Sequence, residues 1–351
     1  MAPVTPFHDE PTAFPGGLVP VAHGVYAWLQ PNGGLGESNA GVVVGEGEAL
    51  LVDTLLDLPL TQRMLDVVAQ RVNVPITTLV NTRAGGEHTW GNQLVAGARI
   101  IASERTAEHF HDEHPLALRA FQGAGRVGRR LGLWPRGSSR STPMECGLNP
   151  FDFRGIRPTG PTETFRGDLD LEIGGRQVLL QEVGPAHSPG DTMVLVPDSS
   201  VVFAADIMMR GGRWPIMWTG PAWNWISGLD MILTMSPDIV VPGRGRICTV
   251  GDVDGMRDLL MWIVVSATAL LREGRTPRAA TLRLLAGDEV RCGPWRALRG
   301  PGGLFITIST IDRHLRGEAD PRTRGEWVRT LMESHELTRH LHRGGLPRAA
   351  F

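Results

Sequence analysis

The apolar residues of this chain change period several times along the first hundred positions, and that constrains its fold more than any other feature. Residues 25–29, 40–44 and 49–53 are short β-type runs separated by glycine clusters, and read as a meander that opens a sheet. Leu60, Met64, Val67 and Val68 then recur at helical spacing, which predicts a helix over 60–71. A short apolar strand follows at 77–81, a helix begins over 91–96, and another strand covers 99–103. Strands and helices alternating in this order place the chain in the α/β class, as a mixed sheet with helices packed on it.

Residues 111–150 break the rhythm with many glycines and arginines and read as an inserted helix and loop. Gly123-Ala-Gly-Arg-Val-Gly128 matches the dinucleotide pattern G-x-G-x-x-G as a string. That pattern needs a strand before it, whereas residues 114–122 read as helix, so a flexible loop is the expected reading. Strand signals return as two hairpins. The first spans 164–173 and 177–183 about Gly174-Gly175, and the second spans 192–196 and 201–205 about Pro197-Asp-Ser-Ser200. A helix over 223–233, a strand over 238–241 and a long amphipathic helix over 252–272 follow, and the remainder is mostly helical with a break near Gly300–Gly303. There is no repeat and no clear linker. The expected organisation is a loose arm at 1–18, a single domain over 19–250, and a helical C-terminal extension over 251–351 packed on it.

Composition removes whole classes of function. The 351 residues hold 35 basic against 37 acidic groups, a net charge of -2, which offers no electrostatic footprint for nucleic acid. Cys146, Cys248 and Cys292 are odd in number and far apart, so neither a disulfide framework nor a zinc-finger spacing is present and a reducing compartment is expected. The first six residues have neither a basic start nor an apolar run. The longest apolar stretch, 259–271, is shorter than the ~20 residues a membrane helix requires. A cytoplasmic protein without membrane contact is expected.

Polar residues that the turns do not need collect at four strand ends, where active sites gather. They are Asn81-Thr-Arg-Ala-Gly-Gly-Glu-His-Thr-Trp-Gly-Asn92, Gly184-Pro-Ala-His-Ser-Pro-Gly-Asp191, Asp206 after Val201-Val-Phe-Ala-Ala205, and Val240-Val-Pro-Gly-Arg-Gly245. In this order the loops resemble the metallo-β-lactamase superfamily over roughly residues 19–317. In that family the first loop usually reads H-x-H-x-D-H, and one branch reads N-T-H-A-N-G-D-H followed by Gly-Asn. The resemblance implies an αββα sandwich of two mixed sheets with helices outside, and makes 19–250 a metallo-β-lactamase-like domain.

The resemblance also implies a ligand set, from which this chain departs. The two histidine positions of the first motif fall on Arg83 and Gly85, the aspartate position on the longer Glu87, and the last histidine position on Arg244. His88, His187 and Asp206 are kept. The family's first metal site, at 83, 85 and 187, retains only His187. The second, at 87, 88, 206 and 244, retains Glu87, His88 and Asp206. Zinc takes four ligands, or three and water, while arginine stays protonated and is no ligand. The expectation is that Arg83 and Arg244 replace the metal charge and neutralise Glu87 and Asp206, so no cofactor is expected. At most one weakly bound zinc would use Glu87, His88, Asp206 and His187. The competing reading of Glu87 and His88 is a buried network that holds loops together. Asp53 is, by resemblance, a carboxylate supporting the site, or else a helix or turn cap.

Trp214, Trp218, Trp223 and Trp225 lie close together after Asp206, and Trp90 sits beside His88, with Trp134 in the insert. Trp90, Trp214, Trp218 and Trp223 are the candidate substrate wall, because tryptophan offers large flat contact area; the bland alternative is that they fill the core or a dimer seam. The expected ligand is a small aromatic or polycyclic molecule, free or carried on a carrier protein, with homo-oligomerisation left open. His335, His340 and His342 read as the solvated face of a helix.

Three functions follow. Relatives in the Asn-variant branch include aromatic polyketide cyclases and thioesterase-like proteins, and the lysine-free composition suits a high-GC genome. The first reading is therefore a cyclase or thioesterase-like catalyst of antibiotic biosynthesis. In it Arg83 or Arg244 holds an enolate or carboxylate oxygen, and Glu87, His88 and His187, beside Asp206, act as general acid and base. The second is a zinc-dependent ester, thioester or lactone hydrolase. The third is a non-catalytic binding member.

Overall fold

The computed structural model describes residues 16–30, 36–130, 151–318 and 324–344. Twelve strands among them form two sheets: β1 (Gly17–Ala22), β2 (Val25–Leu29), β3 (Ala40–Val44), β4 (Ala49–Val52), β5 (Ile76–Asn81), β6 (Arg99–Ser103), β7 (Glu163–Phe165), β8 (Asp168–Ile173), β9 (Arg176–Glu182), β10 (Thr192–Val196), β11 (Val201–Met209) and β12 (Ile239–Arg244). β1 to β7 form the first sheet in sequence order, and the second runs β12-β11-β10-β9-β8. The β1–β4 pairings are antiparallel and β4 to β7 are parallel, while β12 joins β11 in parallel.

The helices are α1 (Leu58–Ala69), α2 (Gly86–Thr89), α3 (Glu104–Glu108), α4 (Pro115–Arg130), α5 (Ala222–Met235), α6 (Val250–Arg272), α7 (Pro277–Leu285), α8 (Asp288–Arg291), α9 (Pro301–Leu315) and α10 (Arg324–Gly344). Alternation along the strands divides the apolar side chains between layers. Val43, Leu50, Val52 and Val80 face Val178, Leu180, Val194 and Phe203 between the two sheets. Val42, Leu51 and Leu79 face the other way, onto Met64 and Val68 of α1. Val202, Ala204 and Ile207, on the outer face of the second sheet, share one core with residues of α5, α6, α7, α9 and α10. The architecture is an αββα sandwich, as the motif order implied, and the C-terminal helices cover one of its faces. None of the helices is long and apolar enough to cross a membrane, among the described residues.

Several local expectations change. β1 begins at Gly17, so the segment read as an arm gives its last two residues to the sheet. The strand read over 164–173 is two strands: β7 pairs with β6 in the first sheet and β8 with β9 in the second, with Gly167 at φ 73 where the chain crosses between them. The helix read over 91–96 is a short 3-10 turn at Asn92–Val95, preceded by α2. Gly123 to Gly128 lie inside α4, not in a flexible loop, so the G-x-G-x-x-G string has no strand before it. Trp134 and Cys146 lie outside the described residues. His335 is half-buried and His340 exposed on α10, and the side chain of His342 is outside the described set.

Candidate functional site

The four motif loops converge between the sheets at one edge of the sandwich. Asn81 ends β5, and the chain then turns into α2, the single turn that carries Glu87 and His88. A clasp of amides holds this turn. Asn92 Nδ2 donates to Asn81 Oδ1 at 2.7 Å, Asn81 Nδ2 donates to the His88 carbonyl at 3.0 Å, and Thr54 Oγ1 donates to Asn92 Oδ1 at 2.9 Å. A second stitch comes from the segment before β3. Ser38 Oγ donates to the Glu87 carbonyl at 2.5 Å, and Asn39 Nδ2 donates to the carbonyls of Pro242 and Gly245 at 2.9 and 2.8 Å. Sequence reasoning missed Ser38, Asn39 and Thr54, which carry no motif letter. Asn81 and Asn92 were visible only as letters of the resemblance.

Asp206 lies within β11, not beyond its end, and is fully buried. Ala205 stands at φ 45, and the register with β12 shifts on either side of it. An irregularity of this kind re-aims the next side chain. β12 approaches closely because residue 243 is glycine: a Cβ there would collide with Asp206 Oδ1.

The predicted residues meet around Asp206 and Glu87. Arg83 Nη2 donates to Glu87 Oε1 at 2.9 Å, and its Nε lies 3.2 Å from Asp206 Oδ2. Arg244 Nη2 lies 2.5 Å from the same Glu87 oxygen and 3.3 Å from Asp206 Oδ2. His88 Nε2 and His187 Nε2 are each 3.4 Å from Asp206 Oδ2. Asp53, at φ 61 after β4, takes His88 Nδ1 at 2.8 Å and accepts from the backbone and hydroxyl of Thr82 at 2.7 and 2.6 Å. Asp53 therefore orients His88 rather than capping a helix.

Three cationic and three carboxylate side chains thus interlock in a buried space. Burial alone would raise the carboxyl of Glu87, but Arg83 and Arg244 hold it well below the usual carboxylate range. Asp206 behaves likewise, burial being outweighed by Arg244 and Arg83. Burial opposes charge on His88, yet Asp53 and Asp206 lift its pKa to about 9, so it is an imidazolium at neutral pH. His187 is 2% exposed, stands edge-on to Trp225, and its Nδ1 has no hydrogen-bond partner among the described residues.

The residues present do not fit a metal pair. Ligand atoms of Glu87, His88 and Asp206 do lie within 4.8 Å of one another. However, one oxygen of each carboxylate, Glu87 Oε1 and Asp206 Oδ2, is already held by both guanidinium groups, which places two fixed positive charges where an ion would sit. The volume of the missing side chain at 85 is filled as well: a Cβ on Gly85 would meet Arg83 Nη2 at 2.5 Å and Cζ at 2.8 Å.

The four tryptophans do not form one wall. Trp90 is buried against Phe153 with rings at 90°, and Trp214 is buried in the core beneath the C-terminal helices. Trp223 is 53% exposed on α5. Trp218 is half-buried, donates its backbone N–H to the His187 carbonyl at 3.0 Å, and packs on Trp327 of α10 with ring centroids 4.5 Å apart.

The sequence model of the metallo-beta-lactamase superfamily matches residues 33–244, more than half of the chain. The chain belongs to this superfamily. Among relatives, a linear primary-alkylsulfatase of a Pseudomonas species is 25% identical over 248 residues, covering 65% of this chain and 46% of that protein. The alpha subunit of a 2,4-dinitroanisole O-demethylase of a Nocardioides species is 28% identical over 120 residues, covering 32% of this chain and 35% of that subunit. The chain spans about half, or less, of the length of these relatives. In three dimensions it is similar to the stereoselective inverting sec-alkylsulfatase of a Pseudomonas species, with TM-score 0.64 and 18% identity over 95% of this chain and 55% of that one. A metallo-beta-lactamase from Pontibacter korlensis superposes with TM-score 0.50 and 16% identity over 70% of this chain and 99% of that one. These superpositions concern the superfamily fold. Neither sequence relative is a polyketide cyclase, so the cyclase branch gains no support from them.

Proposed function

We propose that this superfamily member is a hydrolase-type enzyme that works by acid–base chemistry on charge supplied by arginine instead of a metal pair. One observation carries the reading. Arg83 and Arg244 lie against Glu87 and Asp206, and Arg83 fills the space of the absent residue-85 side chain. Fixed positive charge in a dry site stabilises a developing oxyanion without reorganisation. Arg244, whose side chain is 14% exposed against 7% for Arg83, is the better placed of the two to meet a substrate. His187 is the candidate general base, because its ring is held beside Asp206 and one nitrogen is uncommitted. His88, locked by Asp53 and Asp206, orients and charges the site.

The relatives act, by name, on alkyl sulfates and an aryl methyl ether, which supports cleavage of a small ester-like or ether-like molecule. An aromatic substrate, free or on a carrier protein, and ring closure in place of hydrolysis belong to the same proposal; they rest on the motif resemblance. A second reading, one zinc on Glu87, His88 and Asp206, draws on their mutual closeness and on Asp206 Oδ1, which is buried without a hydrogen-bond partner among the described residues. It requires Arg244 to leave both carboxylates.

The test is turnover of a panel of aryl sulfate, ester, thioester, lactone and aryl methyl ether substrates by the purified protein, with and without a chelator, read by mass spectrometry. Turnover that survives chelation and is lost in His187→Ala supports the proposal. Turnover that appears only on adding zinc favours the second reading, and a folded protein inactive on the whole panel removes hydrolysis.

A further inference from the structure

Beside the buried cluster stands a second group of arginines that the acid–base scheme does not use. The segment after β11 runs back along α9. Trp214 N donates to the Arg299 carbonyl at 3.0 Å, and Arg299 N donates to the Gly212 carbonyl at 2.8 Å, so Arg213 and Arg299 form an isolated parallel β-bridge. The backbone therefore holds two cationic residues side by side. Arg213 is exposed and Arg299 half-buried, and neither makes a side-chain hydrogen bond or ion pair among the described residues. Arg213 Nη1 lies over the start of α9, 3.6 Å from where a Cβ on Gly300 would be.

Paired guanidinium groups repel one another, and a fold normally separates or neutralises them. Here the surrounding protein partly desolvates Arg213 and depresses it, Arg299 and Arg244 depress it further, and Glu37 is the acid that opposes them. The backbone ties the pair to the candidate site: Arg210 N, three residues before Arg213, donates to the carbonyl of Arg244 at 2.8 Å, and the Arg244 side chain contacts Glu87 and Asp206. The buried cluster sets three cations against three carboxylates, whereas the two arginines of the pair face one acid, Glu37.

We propose that Arg213 and Arg299 form an anion-binding subsite that holds an acidic group of the substrate, a carboxylate, sulfate or phosphate, while another part of the molecule reaches Arg244 and His187. The proposal rests on the reading that this edge takes a small-molecule substrate. Guanidinium matches such oxyanions with parallel N–H donors. An excess of positive charge beside a site also steers anions toward it.

Binding tests this without requiring turnover, so the subsite can be judged even if the protein is inactive on every substrate offered. The probes for calorimetry are benzenesulfonate, phenylphosphate, benzoate, neutral benzyl alcohol and inorganic sulfate, at low and physiological salt. At least one aromatic anion is expected to bind ten times or more tighter than benzyl alcohol, and to weaken as salt is added. Arg213→Gln and Arg299→Gln are each expected to weaken it by about tenfold, the scale of one charge-assisted hydrogen bond. Arg166→Gln, a surface arginine on Glu104, leaves it unchanged. The proposal is overturned if both Gln variants bind the aromatic anions like the wild type, or if no anion outcompetes benzyl alcohol. Inorganic sulfate binding as tightly as the aromatic anions also overturns it, since the pair is then a site for free anions. Should the Gln variants melt early, the salt titration of the wild type decides, and binding insensitive to salt refutes the subsite.

Discussion

The guanidinium of Arg83 stands where a side chain on Gly85 would have to be, with Nη2 2.5 Å from the position of its Cβ. Arg83 cannot swing away freely, because Glu87 and Asp206 hold it in a buried space. Gly85→Ala is therefore expected to lower stability by roughly 1–3 kcal/mol, the cost of overpacking. The same change in an Arg83→Ala background should cost clearly less. A double-mutant cycle by chemical denaturation measures the difference, and additive costs would show that the two residues do not compete for space.

Metal content follows from the same geometry. The purified protein is expected to carry less than one tightly bound zinc per chain by elemental analysis, and a chelator should leave both its fold and its turnover intact. Two metals per chain, removed with loss of activity, would mean that both arginines turn out of the site when ions bind.

Arg244 bridges Glu87 and Asp206 through one nitrogen. Losing a fixed donor to a developing oxyanion costs ~10²–10³ in turnover, so Arg244→Ala should fall by that much in kcat. Arg244→Lys should recover only part, since an ammonium keeps the charge but not the planar fork. Arg244→His should not restore zinc binding at the other site, where Arg83 and Gly85 remain. Full activity in a folded Arg244→Ala protein would make Arg244 structural.

His88 links the site to pH. Its pKa rises from 6.5 to about 9 on folding, so its charged form favours the folded state. The contribution is complete below pH 6.5 and disappears as pH climbs through about 9; its size is on the order of 3 kcal/mol. Denaturation at a series of pH values should show stability declining over that window, and His88→Gln should flatten the decline. Glu87 and Asp206, both depressed, act in the opposite sense. Their contribution is present above the ordinary carboxylate range and lost on acidification.

Much of this was legible in the chain itself. Apolar spacing over consecutive residues marked most strands and the long helices, because the periods of 2 and 3.6 are properties of local backbone geometry. The strand ends so marked carry Arg83, Glu87, His88, His187, Asp206 and Arg244, and the motif order identified the sandwich that brings them together. The sequence also showed that arginines occupy ligand positions. It did not show where their side chains go. That Arg83 fills the space beside Gly85, and that Gly243 lets β12 approach Asp206, depends on how the two sheets pack. The break between β7 and β8 is hidden in the sequence because one apolar run can serve two sheets if the chain turns at a glycine. Ser38, Asn39, Asn81 and Asn92 became meaningful only when their partners, up to 206 residues away, were placed next to them. The tryptophans were separated for the same reason: whether a large apolar side chain faces core, site or solvent is set by the elements that pack on it, and neighbours in sequence end differently, Trp214 in the core, Trp218 on Trp327 of α10 and Trp223 in solvent.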